Sequence, residues 1–90
     1  MDAQKAYIIL HDINGQNQVI GVSLSPQTAK ITFDMYLDSF ESSLREVDGT
    51  ISKDNTFNRF SEPTEDYLFS ADIKRGDDQH YIHVKEFEID

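Results

Sequence analysis

The chain has no cysteine, which excludes disulfide bonds and thiol chemistry. Its four glycines form no phosphate-binding loop, dinucleotide fingerprint or nucleophile elbow. No apolar run approaches the roughly 20 residues that span a bilayer, and residues 1–5 lack the basic and apolar segments of a signal peptide. We therefore expect a cytoplasmic protein that does not bind membranes and carries no recognisable catalytic motif.

Basic residues are also scarce. The chain has 8 Lys and Arg against 17 Asp and Glu, so its formal net charge at pH 7 is −9, and the sequence pI is about 4.5. Nucleic acids and anionic membrane surfaces repel such a chain. We therefore expect no direct binding to nucleic acid.

Residues 25–47 are the longest stretch with a helical period. Ser25 is suited to the N-cap and Pro26 to the first helical position, and Gly49 is typical of a helix that stops near Glu46. At 100° per residue, one apolar stripe within about 60° of Phe33 contains Ala29, Phe33, Tyr36, Leu37, Phe40, Leu44 and Val47. The stripe predicts a helix that covers one face of a sheet.

The opposite face of this helix is a candidate site for partner binding. Ile31 and Met35 fall about 160° from the centre of the apolar stripe. Asp34, Asp38 and Glu41 run beside them at i, i+4 and i+7. The pattern is typical either of a solvated face with two isolated apolar residues, or of a binding face with an acidic ridge and a small apolar patch.

Residues 5–12 and 19–24 have the composition of strands. Asn14-Gly15 between them is the pair that most easily forms a tight hairpin turn. Three apolar residues alternate along one face of the second strand, namely Ile20, Val22 and Leu24. We expect that face to lie under the helix.

Residues 50–65 are polar and predict a long loop. Its aromatic residues are Phe57 and Phe60. They either pin the loop to the edge of the core or form an exposed aromatic pair used in recognition, and the sequence leaves both alternatives open.

Residues 67–73 and 79–89 predict a second hairpin. In a regular last strand, Ile82 and Val84 would lie on one face of the sheet, and Phe87 and Ile89 would lie on the other. A β-bulge near residues 84–86 would let one face bury both pairs. We predict this bulge, which would leave three carboxylates exposed at alternate positions, namely Glu86, Glu88 and Asp90.

These elements predict a single α+β domain over residues 1–90, in the order ββαββ, with one amphipathic helix on a mainly antiparallel sheet. His80 and His83 lie three apart on a strand, so their side chains point to opposite faces and cannot chelate one ion. We expect no metal site, no cofactor and no enzymatic activity.

Three segments carry a resemblance to known proteins, namely residues 7–11 (YIILH), 20–25 (IGVSLS) and 85–90 (KEFEID). In these segments the chain resembles small uncharacterised bacterial and phage ββαβ domains with a serine-capped helix and a closing acidic-aromatic strand. In size, acidity and lack of motifs it is similar to phage-encoded inhibitors of bacterial defence, such as anti-CRISPR and anti-restriction proteins. The similarity implies an inhibitor in the host cytoplasm, and it implies no catalytic residue.

Carboxylates about 6–7 Å apart along a strand or helix ridge imitate the charges of a phosphate backbone. The leading hypothesis is a non-enzymatic inhibitor that binds a basic, nucleic-acid-binding surface of a partner protein, such as a nucleic-acid enzyme. Its candidate binding residues are Ile31, Asp34, Met35, Asp38, Glu41, Glu86, Glu88 and Asp90. A surface that serves only solubility remains the alternative interpretation of these carboxylates.

Two other functions stay open. The first is a homodimeric structural or regulatory module that buries Ile31 and Met35, or that pairs an edge strand such as residues 79–89 with its symmetry mate. The second is a small enzyme or ligand-binding domain, which needs an apolar pocket with convergent polar groups. The residues considered for that pocket are His11, Tyr81 and His83.

Overall fold

The computed structural model describes residues 4–46, 48–60, 62–64 and 67–89. The elements in these residues are β1 (Gln4–Ile13), β2 (Gln16–Ser23), α1 (Pro26–Leu44), β3 (Asn55–Phe60), β4 (Phe69–Arg75) and β5 (Asp78–Ile89). The strands form one antiparallel sheet in the order β2-β1-β5-β4-β3. Helix α1 packs on one face of this sheet, which confirms the predicted α+β class. We call the other face the open face.

The local signals at the first turn and at the start of the helix are confirmed. Asn14 (φ 52°) and Gly15 (φ 91°) adopt the positive φ angles expected of a tight turn between β1 and β2. The Ser25 side chain accepts a hydrogen bond from the backbone N–H of Thr28 at 3.3 Å, and Pro26 occupies the first position of α1.

Helix α1 ends at Leu44, two residues before the predicted end near Glu46. Arg45 leaves the helix in an extended conformation (φ −80°, ψ 140°). Gly49 (φ 85°) donates its N–H to the Glu46 carbonyl at 2.9 Å, so it shapes a turn after the helix rather than the helix end itself. Val47, predicted to belong to the apolar stripe, lies outside the described residues.

The core lies between α1 and the sheet. The buried residues of α1 are Ala29, Phe33, Leu37 and Leu44. Their buried partners in the strands are Tyr7, Ile9, Ala71, Ile73, Ile82 and Val84. Tyr36 and Phe40 are partly buried against this cluster, so the predicted apolar stripe is confirmed at its described positions.

Strand β2 departs from the predicted alternation. An irregularity after Ile9 shifts the β1–β2 register, so that Gly21 lies opposite Ile9. A Cβ atom at Gly21 would lie 3.4 Å from the Ile9 side chain. Ile20 packs on the core as predicted, but Val22 and Leu24 are exposed. The prediction that all three residues face the helix is therefore wrong for Val22 and Leu24.

Residues 50–65 are not entirely a loop, because they contain β3 (Asn55–Phe60), which pairs with β4 at an edge of the sheet. Phe57 lies opposite Ile73 and is partly buried against the core. Phe60 points to the open face and is about half exposed. The core-edge interpretation therefore holds for Phe57 and fails for Phe60.

Strand β5 lies in the centre of the sheet, between β1 and β4. Its pairing with β1 runs without a break from Ile89 to His80, so the predicted bulge near residues 84–86 is wrong. Phe87 and Ile89 lie on the open face and stay partly exposed. The conflict between the two apolar pairs is thus resolved by exposure, because no helix or strand of the described residues covers Phe87 and Ile89 on the open face.

Candidate functional site

Two carboxylates of the predicted acidic ridge share one cation. Arg59 of β3 places its guanidinium 2.8 Å from Asp38 and 3.7 Å from Asp34. Asp34 also lies 3.0 Å from the Lys30 ammonium, one turn earlier on α1. These carboxylates therefore face the β3 side of the molecule, and their charge is offset locally.

The remaining predicted carboxylates are also only partly free. Glu41 lies 3.5 Å from Arg45, at i and i+4. Glu86 lies 2.7 Å from the Lys5 ammonium, and this hydrogen bond raises the pKa of Lys5. Glu88 is exposed. Within the described residues, the predicted row on the last strand thus contains one paired and one exposed carboxylate, and its third member, Asp90, lies outside them.

Met35 lies on the other flank of α1, beside β2. A groove of about 340 Å³ between α1 and β2 is lined by Ile20, Thr32, Met35, Tyr36 and Ser39. No charged side chain lines this groove. Arg59 of β3 pairs with Asp34 and Asp38, whereas Met35 borders β2, so these two carboxylates and Met35, which were predicted to share one face, point to different sides.

The groove runs beside an edge of the sheet. β2 pairs with β1 and has no other neighbour among the described strands, so the outward backbone groups of β2 are free to pair with another strand. Four large apolar side chains near this edge are about three-fifths exposed, namely Val19 (63%), Val22 (63%), Leu24 (61%) and Met35 (65%), and Ile31 (59%) lies one turn before Met35 on α1. We call these five residues, together with Ile20, the β2–α1 surface.

The edge is also free of charge. Residues 13–29 contain no Asp, Glu, Lys or Arg, although 28% of the whole chain is charged. Edge strands are commonly protected by lysine, proline or inward-pointing charges, and β2 (Gln16–Ser23) has none of these. Sequence reasoning selected Ile31 and Met35 but missed Val19 and Val22. The uncharged run was the signal that could have identified them.

A chain of hydrogen bonds lies on the α1 side of the sheet. His11 Nδ1 is 2.7 Å from the Tyr36 hydroxyl, and His11 Nε2 is 2.9 Å from His80 Nδ1. The Phe40 ring packs edge-on against both imidazoles, with centroids 5.7 Å and 5.0 Å away. These contacts join β1, β5 and α1 through polar atoms within an apolar layer. We call Tyr36, His11 and His80 the histidine relay.

Burial sets the protonation state of the relay. It lowers the pKa of His11, and the neighbouring His80 lowers it further, while Asp12 opposes the shift. Burial also lowers the pKa of His80, with Asp78 opposing the shift. Both imidazoles are therefore neutral at pH 7, since their pKa values lie below the usual 6.5.

His83 lies on the open face, opposite Leu10 of β1. Its ring packs against Tyr67 and Tyr81, with centroid distances of 4.3 Å and 4.9 Å, and only 4% of the residue is exposed. Nδ1 of His83 is buried and has no hydrogen-bond partner among the residues that the structure describes. Burial lowers the pKa of this imidazole.

The histidines do not converge on one pocket. His11 and His80 face α1, whereas His83 and Tyr81 lie on the open face, so the pocket considered around His11, Tyr81 and His83 is not formed. The opposite orientation of His80 and His83 confirms the sequence argument. Among the residues that the structure describes, no group of three or more His, Asp or Glu side chains is placed to hold a metal ion.

Two further observations bear on function. Within the described part of the chain, no helix has both the length and the apolar character needed to cross a bilayer. Comparisons with protein-family models, with curated proteins and with solved structures found no match to this chain. Function therefore has to be argued from the residues themselves.

Proposed function

We propose that this protein is a non-enzymatic interaction domain that binds another polypeptide through the β2–α1 surface. The observation that carries the proposal is the coincidence, along one uncharged sheet edge, of free backbone groups with exposed large apolar side chains. Each feature alone is common on protein surfaces. Their coincidence is typical of an edge that receives a partner strand.

The binding mode follows from the two parts of this surface. An extended segment placed beside β2 would pair with its outward N–H and C=O groups, which supply affinity without dependence on sequence. Side chains of that segment on the α1 side would enter the groove between Ile20 and Met35. Alternate side chains on the open face would contact Val19 and Val22, because both residues lie on that face.

The proposal is tested by capture experiments that depend on the edge. The protein, the double variant Val19→Lys/Val22→Lys and the control Phe60→Lys on the opposite edge serve as baits in a bacterial lysate to which a differently tagged copy of the protein has been added. All three positions are exposed, so we expect each variant to fold, which circular dichroism verifies. At least one polypeptide should be retained by the protein and by Phe60→Lys and lost with the double variant. Equal retention by all three baits, or no retention by any, would overturn the proposal.

An acidic inhibitor of a basic partner protein is the second candidate. It is favoured by exposed carboxylates that form no ion pair within the described part of the chain, including Asp72, Asp77 and Glu88. The ion pairs of Asp34 and Asp38 with Arg59 weaken the contribution of the helix ridge. Arg59→Gln should therefore tighten binding to a basic DNA-binding protein, and binding should weaken as salt is raised. Unchanged affinity in both experiments would argue against this candidate.

A further inference from the structure

We propose that the polypeptide bound at the β2–α1 surface is a second copy of this chain, joined by antiparallel pairing of its β2 with β2 of the first copy. The inference rests on the proposed function and names its partner. It predicts a twofold dimer with one continuous ten-stranded sheet. In such a dimer the same surface is used by both copies.

The distribution of charge favours a second copy over a charged partner. Two chains of net charge −9 repel each other at a distance, yet residues 13–29 bring no charge to the junction. Antiparallel pairing would place uncharged β2 residues opposite one another, so no like charges meet at contact. A basic partner would instead require carboxylates along this edge, and β2 has none.

The symmetry of the pairing covers apolar residues on both faces of the sheet. A twofold axis perpendicular to the sheet keeps both helices on the same face. The two Met35 side chains then border the junction on the helix side, with Ile31 one turn earlier on α1. On the open face the same operation aligns the Val19 and Val22 side chains of the two copies. One contact therefore shields exposed groups that lie on two different faces of the monomer.

The other edge of the sheet is less suited to such pairing. β3 (Asn55–Phe60) is shorter than β2, with six residues against eight. It carries Arg59, whose positive charge is held by Asp34 and Asp38 of α1. A short strand with a charged residue is the usual form of a protected edge, so we assign the junction to β2.

Cysteine cross-linking tests this inference directly, because the chain has no cysteine of its own. Val19→Cys and Val22→Cys are oxidised separately and as an equal mixture, because a twofold axis between positions 19 and 22 would place each position opposite the other. Phe60→Cys on β3 is the matched control. We expect disulfide-linked dimers from at least one of these β2 samples and only monomer from Phe60→Cys. Dimers from all three variants, or from none, would overturn the inference.

Sedimentation velocity from low to high micromolar concentration provides a measurement without cross-links. We expect the protein to shift from monomer to dimer, and Val19→Lys/Val22→Lys to weaken association by roughly tenfold or more. Met35→Glu, which alters only the helix side, should also weaken it. A monomer at every concentration would overturn the inference. The proposed function would then stand only if capture of a different polypeptide still depended on Val19 and Val22, so the two failures are distinguishable.

Discussion

His11 Nε2 lies 2.9 Å from His80 Nδ1, which joins residues of β1 and β5 that are 69 positions apart in the sequence. In this bond one nitrogen donates a proton and the other accepts it. The relay can therefore take up one extra proton and keep both of its hydrogen bonds. A second proton would place two N–H groups against each other, in a layer packed with Phe40.

Acid should destabilise this protein in the pH range in which histidines titrate. Folding lowers the pKa values of His11, His80 and His83 below 6.5, so the unfolded chain binds more protons at mildly acidic pH. The neutral imidazoles contribute fully to the free energy of unfolding above pH 6.5, and this contribution is lost as the pH falls below 6.5. Each histidine can contribute a slope of up to about 1.4 kcal/mol per pH unit. Urea unfolding at a series of pH values between 8 and 5 measures the slope.

A variant of the histidine relay distinguishes the acid destabilisation caused by the histidines from that caused by the carboxylates. His80→Asn should flatten the dependence on pH between 6.5 and 5. Asp48, whose pKa is lowered by hydrogen bonds from Thr50, contributes in a different range, because its contribution is present above pH 3.8 and is lost at lower pH. An unfolding free energy that is equal at pH 7.5 and pH 5.5 would contradict the prediction.

Tyr36→Phe should destabilise the fold by about 1–2 kcal/mol, because it leaves His11 Nδ1 without its partner at 2.7 Å. The ring and its packing on the core are retained, so the loss reports on the hydroxyl. Tyr81→Phe is the matched control, since its ring lies on the open face, away from the relay. Equal unfolding midpoints in urea for both variants would show that the Tyr36 hydrogen bond contributes nothing to stability.

Gly21 of β2 lies close to side chains of both β1 and α1. A Cβ atom there would lie 3.4 Å from Ile9 Cδ1 and 3.7 Å from Thr32 Cγ2. We therefore expect Gly21→Ala to change stability by less than about 1 kcal/mol and Gly21→Val to cost about 1–3 kcal/mol through overpacking. Thermal unfolding of both variants checks the difference. If Gly21→Val is as stable as Gly21→Ala, β2 and α1 are less tightly packed than this distance implies.

The sequence predicted those parts of the fold that depend on local signals. The Ser25 cap, the Asn14-Gly15 turn and the buried stripe centred on Phe33 each follow from neighbouring residues. Opposite orientation of His80 and His83 also followed, because alternation along a strand is a local property. These local features together were sufficient to predict the α+β class.

Features that depend on distant pairing were not predictable in the same way. The exposure of Val22 results from a register shift between β1 and β2, and β3 is a polar strand held by its pairing with β4. The relay required His11 and His80 to become neighbours in the sheet. The pairing of Asp34 and Asp38 with Arg59 likewise depends on the position of β3 in the sheet. The predicted bulge near residues 84–86 is absent, because β5 alternates regularly along its pairing with β1.

Salt should strengthen association of the protein with itself. The two copies carry −9 each, and this repulsion is the main electrostatic term because the β2 junction is uncharged. Raising NaCl from about 50 mM to about 500 mM shortens the range of that repulsion from roughly 14 Å to roughly 4 Å and leaves apolar contacts in place. The dimer fraction measured by sedimentation should therefore rise with salt. The acidic-inhibitor candidate predicts the opposite trend for binding to a basic partner, since attraction between opposite charges is screened. A dimer that dissociates as salt is raised would show that ion pairs hold the interface, and it would exclude the uncharged β2 edge as the junction.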